Sequence, residues 1–237
     1  MMRRFQTVST ISPCMLDRLA DKGVADSRRL LFPNWVDTAQ IQPLGGPSPM
    51  RRELCLSDDA FVCLYSGNMG EKQGLEVLVE AAELLVHRPD IAFIFCGDGV
   101  AKPKLEALSA GLVNIKFLPL QPLVRLNDLL NVADVHLLPQ RGDAADLVMP
   151  SKLTAMLASG RPVIATARPG TQIAEVVSQC GVLVAPGDSR GFAQAIVDLA
   201  DAAVQCAALG AAGRVYAIAN LDQEAILAGV LAFVAAG

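Results

Sequence analysis

DLVMPSKLTAMLASGRPVIAT, residues 146–166, divides into a helix and a strand, and that division decides the fold. Leu153, Met156 and Leu157 fall at helical spacing, Pro150 and Ser151 open the helix with Ser151 as the expected N-cap, and Gly160 is its expected stop. After Arg161 and Pro162, the run Val163-Ile164-Ala165-Thr166 suits a short strand buried on both faces. The helix therefore points its N-terminus at a loop lying beside the ends of strands. A helix N-terminus carries roughly half a positive charge and several free N–H groups, and Lys152 adds a whole charge within the first turn. That is a place for a phosphate; ordinary capping beside a solvated lysine is the competing account.

On either side of this stretch, strands and helices alternate with little slack. Strands are read at Phe61–Tyr65, Ile91–Cys96, Ile115–Leu118, Val135–Leu138, Val163–Thr166 and Val182–Val184. Helices are read at Gly74–Val86, Lys102–Leu108, Leu123–Val132, Ser151–Ser159, Gln172–Ser178 and Gly191–Ala208. The pattern predicts an α/β fold, a Rossmann-like parallel sheet with helices on both faces. Ala211–Asn220 and Gln223–Ala235 close the chain as helices without a following strand. Before the alternation, a strand at Thr7–Ser12, a helix at Pro13–Lys22 and a strand at Arg29–Phe32 are too few to build a sheet core, so this opening reads as the tail of something larger or as an appendage. The proline- and glycine-rich residues 43–49 are the clearest linker. The expected division is 1–42, linker 43–49, sheet domain 50–220 and a C-terminal helix at 221–237.

Composition narrows the function classes. The hydrophobic share of the 237 residues is 52%, yet charges interrupt every apolar run before the ~18–20 residues of a membrane span. The net charge is −4, with no Lys/Arg-rich run beyond Met1–Arg4, which argues against nucleic acid as the main partner. MMRRFQTVSTIS lacks the apolar core of a signal peptide. Six cysteines (Cys14, Cys55, Cys63, Cys96, Cys180, Cys206) stand singly, mostly inside apolar segments, and predict reduced, buried thiols and a cytoplasmic protein rather than a disulfide framework or zinc site.

Ligands of such sheets bind beyond the carboxyl ends of the strands, so the loops there carry the chemistry. Ser66-Gly67-Asn68-Met69-Gly70-Glu71-Lys72 combines glycines that allow close backbone approach with a lysine that can reach an anion; Glu71 after Gly70 excludes a Walker loop, and a tight turn with a solvated lysine is the alternative. Gly97-Asp98-Gly99 ends a strand, but Lys102 stands where a dinucleotide fingerprint has its third glycine. His87 and His136 are isolated and predict no metal cluster. Asp143 and Asp146 share a loop and are the candidate catalytic carboxylates, with a plain solvated loop as the alternative. Neither a G-x-S-x-G elbow nor a cysteine with a nearby histidine is present.

Taken in order, LYSGNMGEKQGLEVLVEAA from Leu64, IFCGDG from Ile94, NIKFLPLQP from Asn114, LLNVADVHLLPQRGDAADLVMPSKLTAMLASGRPVIATA from Leu129 and GVLVAPGD from Gly181 resemble the C-terminal, nucleotide-sugar-binding half of family 4 retaining glycosyltransferases of the GT-B type, closest to the colanic-acid exopolysaccharide branch. TVSTISPCMLDRLADKGV with LLFPNWVD is similar to the last strand, helix and crossover strand of that family's N-terminal domain, which makes residues 1–42 its remnant. The resemblance implies two Rossmann-like domains across a cleft and a UDP- or GDP-linked sugar donor. It sets Lys72 against the donor pyrophosphate, Gly67 and Asn68 where backbone passes close by, Met149, Pro150, Ser151 and Lys152 at the helix N-terminus facing the same phosphates, and Gly97 and Leu118 beside the nucleobase. It further implies transfer with retention to a saccharide acceptor, expected to be lipid-linked, in surface polysaccharide synthesis, with no cofactor and no obligatory metal. A complete enzyme of this kind is expected in the cytoplasm or peripheral at the inner membrane face.

Two departures stand out. Where the family often has a glutamate pair seven residues apart, this chain has Leu147 and Ala155, which leaves Asp143 or Asp146 for the sugar. Most of the acceptor-binding domain is also missing. Two alternatives follow: a non-catalytic nucleoside-diphosphate-binding fragment, or a subunit of a split enzyme. A nucleotide-sugar 2-epimerase is disfavoured by the shortage of histidines and acid–base carboxylates.

Overall fold

The computed structural model describes residues 5–141 and 149–236. The chain opens with β1 (Val8–Thr10), α1 (Pro13–Asp21) and β2 (Arg29–Leu31), in which Val8 pairs with Arg29 in a two-stranded parallel ladder. Ser12 caps α1 by accepting the Met15 N–H at 3.3 Å, and Pro13 takes the first helical position, where its missing N–H costs nothing. Residues 36–50 then run along the main body. Leu44 N–H donates to Asn131 Oδ1 (3.1 Å), Ser48 Oγ donates to the Asp128 carbonyl (2.7 Å), and Pro43 lies where a Cβ on Gly160 would come within 2.6 Å. The short α2 (Met50–Glu53), which periodicity does not announce, buries Met50.

The main body is a six-stranded parallel sheet of β3 (Phe61–Ser66), β4 (Ile91–Cys96), β5 (Ile115–Leu118), β6 (Val135–Leu138), β7 (Val163–Thr166) and β8 (Gly181–Val184), in the order β5-β4-β3-β6-β7-β8. The chain winds outward through β3, β4 and β5, then returns to lay β6 against the other side of β3, with Cys63 opposite Val135. Winding reverses between β3 and β6, so the loops after these two strands diverge and leave a crevice at their carboxyl ends. All six strands lie where the apolar runs predict them, with the first extended by Ser66 and the last by Gly181.

Alternation along the strands sorts the core. Cys63, Tyr65, Phe93, Phe95, Val135, Leu137 and Ile164 face α3 (Glu76–Leu84), α4 (Lys102–Leu108) and α8 (Ser189–Asp201). Val62, Leu64 and Ile94 face α2 and α5 (Leu126–Val132), while Leu138, Val163 and Ala165 face α6 (Ser151–Ala158), α7 (Gln172–Cys180) and α9 (Ala203–Asn220). The largest of these, Tyr65, Phe93 and Phe95, are fully buried, each worth about 1.5–3 kcal/mol of apolar transfer.

Three expectations are corrected. The helix read as Gly191–Ala208 ends at Asp201, and α9 begins at Ala203 after a bend of 103°. Neither Gly nor Pro marks the break; α8 packs on α3 whereas α9 crosses to α6 and α7, so tertiary contacts set it. Gly210, expected in the gap between two helices, lies inside α9, where it rests on the Gly160 carbonyl and a Cβ would come within 2.2 Å. Of the cysteines expected to be buried, Cys63, Cys96, Cys180 and Cys206 are, but Cys14 and Cys55 are exposed; all six are free.

The last helix, α10 (Gln223–Ala236), has no polar side chain from Ala225 onward, yet none of its described side chains is buried, and Leu231 and Val234 are 70% and 63% exposed. Its root is stitched to the opening segment: Val36 N–H donates to the Leu221 carbonyl (2.9 Å) and Gln223 N–H to the Val36 carbonyl (3.0 Å). Among the described residues no single helix is long and apolar enough to cross a membrane.

Candidate functional site

The crevice at the winding reversal is built from three turns. After β3, Gly67 turns with φ +131°; after β4, Gly97 turns with φ +142°, and both conformations favour glycine. The two turns touch, because a Cβ on Gly97 would lie 2.0 Å from the Gly67 carbonyl oxygen. Gly67 N–H donates to the Cys96 carbonyl (2.9 Å) and Gly97 N–H to that of Leu118 (3.1 Å), which hangs each turn on the next strand. Lys102, in the place that breaks the dinucleotide pattern, reaches back from α4 to donate from Nζ to the Gly97 carbonyl at 3.3 Å.

The third turn leads into α6. The N-cap is Pro150 (φ −60°, ψ 134°) and Ser151 is the first helical residue, so the cap falls one position earlier than the sequence predicts. Proline has no side-chain acceptor, so among the described residues no side chain caps α6 and its leading N–H groups are left at the helix start beside Lys152. Met149 is buried and its carbonyl accepts from Asn34 Nδ2 (3.0 Å), while Thr154 Oγ1 approaches the Trp35 carbonyl at 3.4 Å. These contacts tie the opening segment to the helix start.

Lys152 crosses from α6 to the β3 turn. Its Nζ lies 4.5 Å above the centroid of the Tyr65 ring, donates to Tyr65 Oη at 3.0 Å, and would be 3.3 Å from a Cβ on Gly67. An ammonium only donates, so the phenol oxygen accepts from Lys152 and sends its own proton to the Asn68 carbonyl. Among the described residues no carboxylate pairs with Lys152. Burial lowers its pKa to about 8 and pushes the Tyr65 phenol well above its ordinary value.

Gly67, Asn68, Gly97, Leu118 and Lys152 are thus brought into one cluster at the crevice, with Met149, Pro150 and Ser151 at its rim. Lys72 lies farther along the β3 loop with an exposed side chain; its carbonyl accepts from the Arg141 N–H at 3.3 Å. Asp143, Asp146 and Leu147 lie outside the described residues. Ala155 is half-buried against the apolar cluster of α6 and α7. A hollow of about 440 Å³ opens beside the crevice between Gly74, Arg141 and Gly187. Its walls carry the carboxylates Glu76 and Glu80 as well as the Arg141 cation. Among the described residues no three His, Cys, Asp or Glu side chains gather as a metal site.

Tyr65 and Lys102 are the residues that motif reading missed. A tyrosine ending an apolar buried strand must find a partner for its hydroxyl, and the glycine turn two residues on was the signal for where.

Fold and crevice together define a Rossmann-like domain, one half of a GT-B architecture. The chain belongs to the group 1 glycosyl transferases, whose family model matches residues 60–202. A protein of Escherichia coli (strain K12) named as the colanic acid biosynthesis glycosyl transferase WcaI is 38% identical over 227 residues, 93% of this chain and 54% of its own length. The chain spans about half the length of the curated relatives it matches. Among solved structures, Anabaena HepE in complex with UDP and glucose superposes with a TM-score of 0.82 at 18% identity, covering 99% of this chain and 64% of that one. The C-terminal domain of a group 1 glycosyl transferase from Francisella tularensis superposes with a TM-score of 0.66 at 20% identity, covering 79% of this chain and 99% of that one.

Proposed function

We propose that this chain supplies the donor-binding half of a glycosyltransferase that moves a sugar, with retention, from a UDP- or GDP-linked donor to a saccharide acceptor, lipid-linked, in surface polysaccharide synthesis. The observation that carries the reading is the Lys152 ammonium, unpaired by any described carboxylate, beside the uncapped N-terminus of α6 and against the Gly67 turn. A leaving diphosphate gathers negative charge as the glycosidic bond breaks, and oriented N–H groups with a fixed ammonium stabilise that charge without reorganising. Lys72, exposed on the same loop, adds the second cation from the rim; Gly67 and Gly97 let backbone approach the pyrophosphate and base, with Asn68 and Leu118 beside them. Asp143 and Asp146 are the candidates for the sugar. The WcaI relationship supports the polysaccharide setting, and the resemblance to retaining enzymes supports the stereochemistry.

A thermal-shift screen of UDP, GDP and their sugar conjugates tests the donor assignment. We expect one nucleotide series to raise the melting temperature, and Lys72→Ala and Lys152→Met each to weaken calorimetric affinity about tenfold or more. Unchanged affinity in both variants rules the assignment out.

A second reading, nucleotide binding without transfer by this chain alone, is favoured by two elements that are sparsely packed among the described residues, the β1–α1–β2 unit and α10. We infer that the β1–α1–β2 unit and α10 belong to a second body, of which most is supplied by further sequence or by a separate subunit. Sugar transfer assayed with and without a co-expressed N-terminal complement separates the readings. Activity only in the complemented sample assigns this chain as the donor subunit.

A further inference from the structure

We propose that Tyr65 is a positioning residue of the donor site: its hydroxyl, shared between the Lys152 ammonium and the Asn68 carbonyl, locks that ammonium over the ring face and against the Gly67 turn. The proposal rests on the donor reading above and names the device that orients its cation.

The geometry leaves the hydroxyl no other use. Tyr65 is fully buried at the last inward position of β3, tilted against Phe95 with centroids 6.2 Å apart. A phenylalanine would fill the same volume. The oxygen instead accepts from a helix on one side (3.0 Å to Lys152 Nζ) and donates to the glycine turn on the other. A lysine carries four rotatable bonds, and holding its end in one place costs rotamer entropy that the ring face and hydroxyl offset before any ligand arrives. The cation then waits beside the two turns whose backbones meet at Gly67 and Gly97.

Charge follows from this placement. Among the described residues the charged groups on the neighbouring loops are Glu71 and Lys72 after β3, Asp98 and Lys102 around β4 and α4, and Arg141 after β6, and burial is what lowers Lys152, to about 8; Asp143 and Asp146, in the loop leading into α6, lie outside the described residues. A diphosphate against the ammonium favours the charged form, so binding above pH 8 draws one proton from solvent and affinity falls about tenfold per pH unit. The terminal phosphate ionises at about pH 6 and is already charged there. Removing the phenol oxygen takes away an acceptor that supports the ammonium, and the break must move to lower pH.

The test is the pH profile of UDP and GDP affinity, by calorimetry from pH 6.5 to 9.5, for the full chain and for Tyr65→Phe. We expect a break near pH 8 in the parent chain. In Tyr65→Phe, affinity at pH 7 should be about tenfold weaker and the break should lie at lower pH. A variant weakened by one factor at every pH, with its break unmoved, has lost only packing and overturns the proposal, as does an unchanged profile; both leave the donor site standing. Absence of binding of either nucleotide to the parent chain removes the donor reading and this inference together. Should the Phe variant not fold, replacing both tyrosines with 3-fluorotyrosine keeps the shape and weakens the oxygen as an acceptor. The break must then also move to lower pH, and a fixed break overturns the proposal.

Discussion

Lys152 is an ammonium kept where water cannot fully reach it, and the fold bears the cost. With its pKa lowered to about 8, against about 10.4 for an unperturbed lysine, it is charged in both folded and unfolded chains below pH 8, where the desolvation penalty is present in full. Between those values only the unfolded chain holds the proton, so stability rises with pH through that window. Lys152→Met keeps the apolar stem and removes the charge. At pH 7 we expect it to melt a few degrees higher by calorimetry, at about 2–4 °C per kcal/mol for a chain of this size, while losing stabilisation by UDP or GDP. His136 acts with the same sign, in a window at lower pH. Ser159 Oγ donates to the Met156 carbonyl and lies 3.0 Å from His136 Nε2, so the ring is neutral with its proton on Nε2 and its buried Nδ1 unpartnered. Burial, and then the Arg161 charge, lower its pKa to about 3. Its contribution is complete above pH 6.5, where the ring is neutral in both states, and is lost as pH falls from there toward 3, because only the unfolded chain takes up the proton. Denaturant titrations from pH 7 to 4 should show His136→Gln losing less stability over that range than the parent chain, although it starts lower.

At the scale of elements, glycines at helix and strand crossings set the distances. Gly210→Ala would ordinarily steady a helix interior by about 1 kcal/mol. Here the added methyl meets the Gly160 carbonyl at 2.2 Å, so the variant should instead be destabilised by about 1–3 kcal/mol in urea unfolding, with α9 pushed off α6. This is also where sequence reading succeeded and failed. The strands were legible because each is a short, mostly apolar run bounded by charge or turn residues, as Ile91–Cys96 is between Asp90 and Gly97. The Gly67 and Gly97 turns and the α6 start were legible for a related reason: glycine and proline restrict backbone whatever surrounds them. The bend at Ala202 was not, since alanines flank it and only the divergence between α3 and the α6–α7 pair requires it. Nor was Tyr65, because a hydroxyl's partner is decided by a loop and a helix that meet it only after folding. The N-cap slipped by one residue because Ser151 is the better capping side chain, yet Pro150 holds the extended dihedrals that position needs.

At the scale of the molecule, two pieces are poorly covered. A two-stranded sheet is marginal by itself, and among the described residues β1 and β2 pair in a sheet only with each other, with α1 packed on them. The apolar α10 leaves the same Val36–Asp222 junction with Leu231 and Val234 exposed and no described side chain buried. The chain alone should therefore associate as concentration rises, seen by light scattering, and Leu231→Glu with Val234→Lys should suppress this with little change in the main melting transition. The arrangement of thiols gives a way to follow what covers these pieces. Cys14 stands on the opening unit and Cys55 just beyond α2 on the main body, both open to reagent, while the other four are sealed inside. Maleimide dyes should attach at these two positions under native conditions, so the natural sequence already carries a fluorescence ruler from the opening unit to the nucleotide domain, ready to report any hinge movement when donor or a complementary subunit is added.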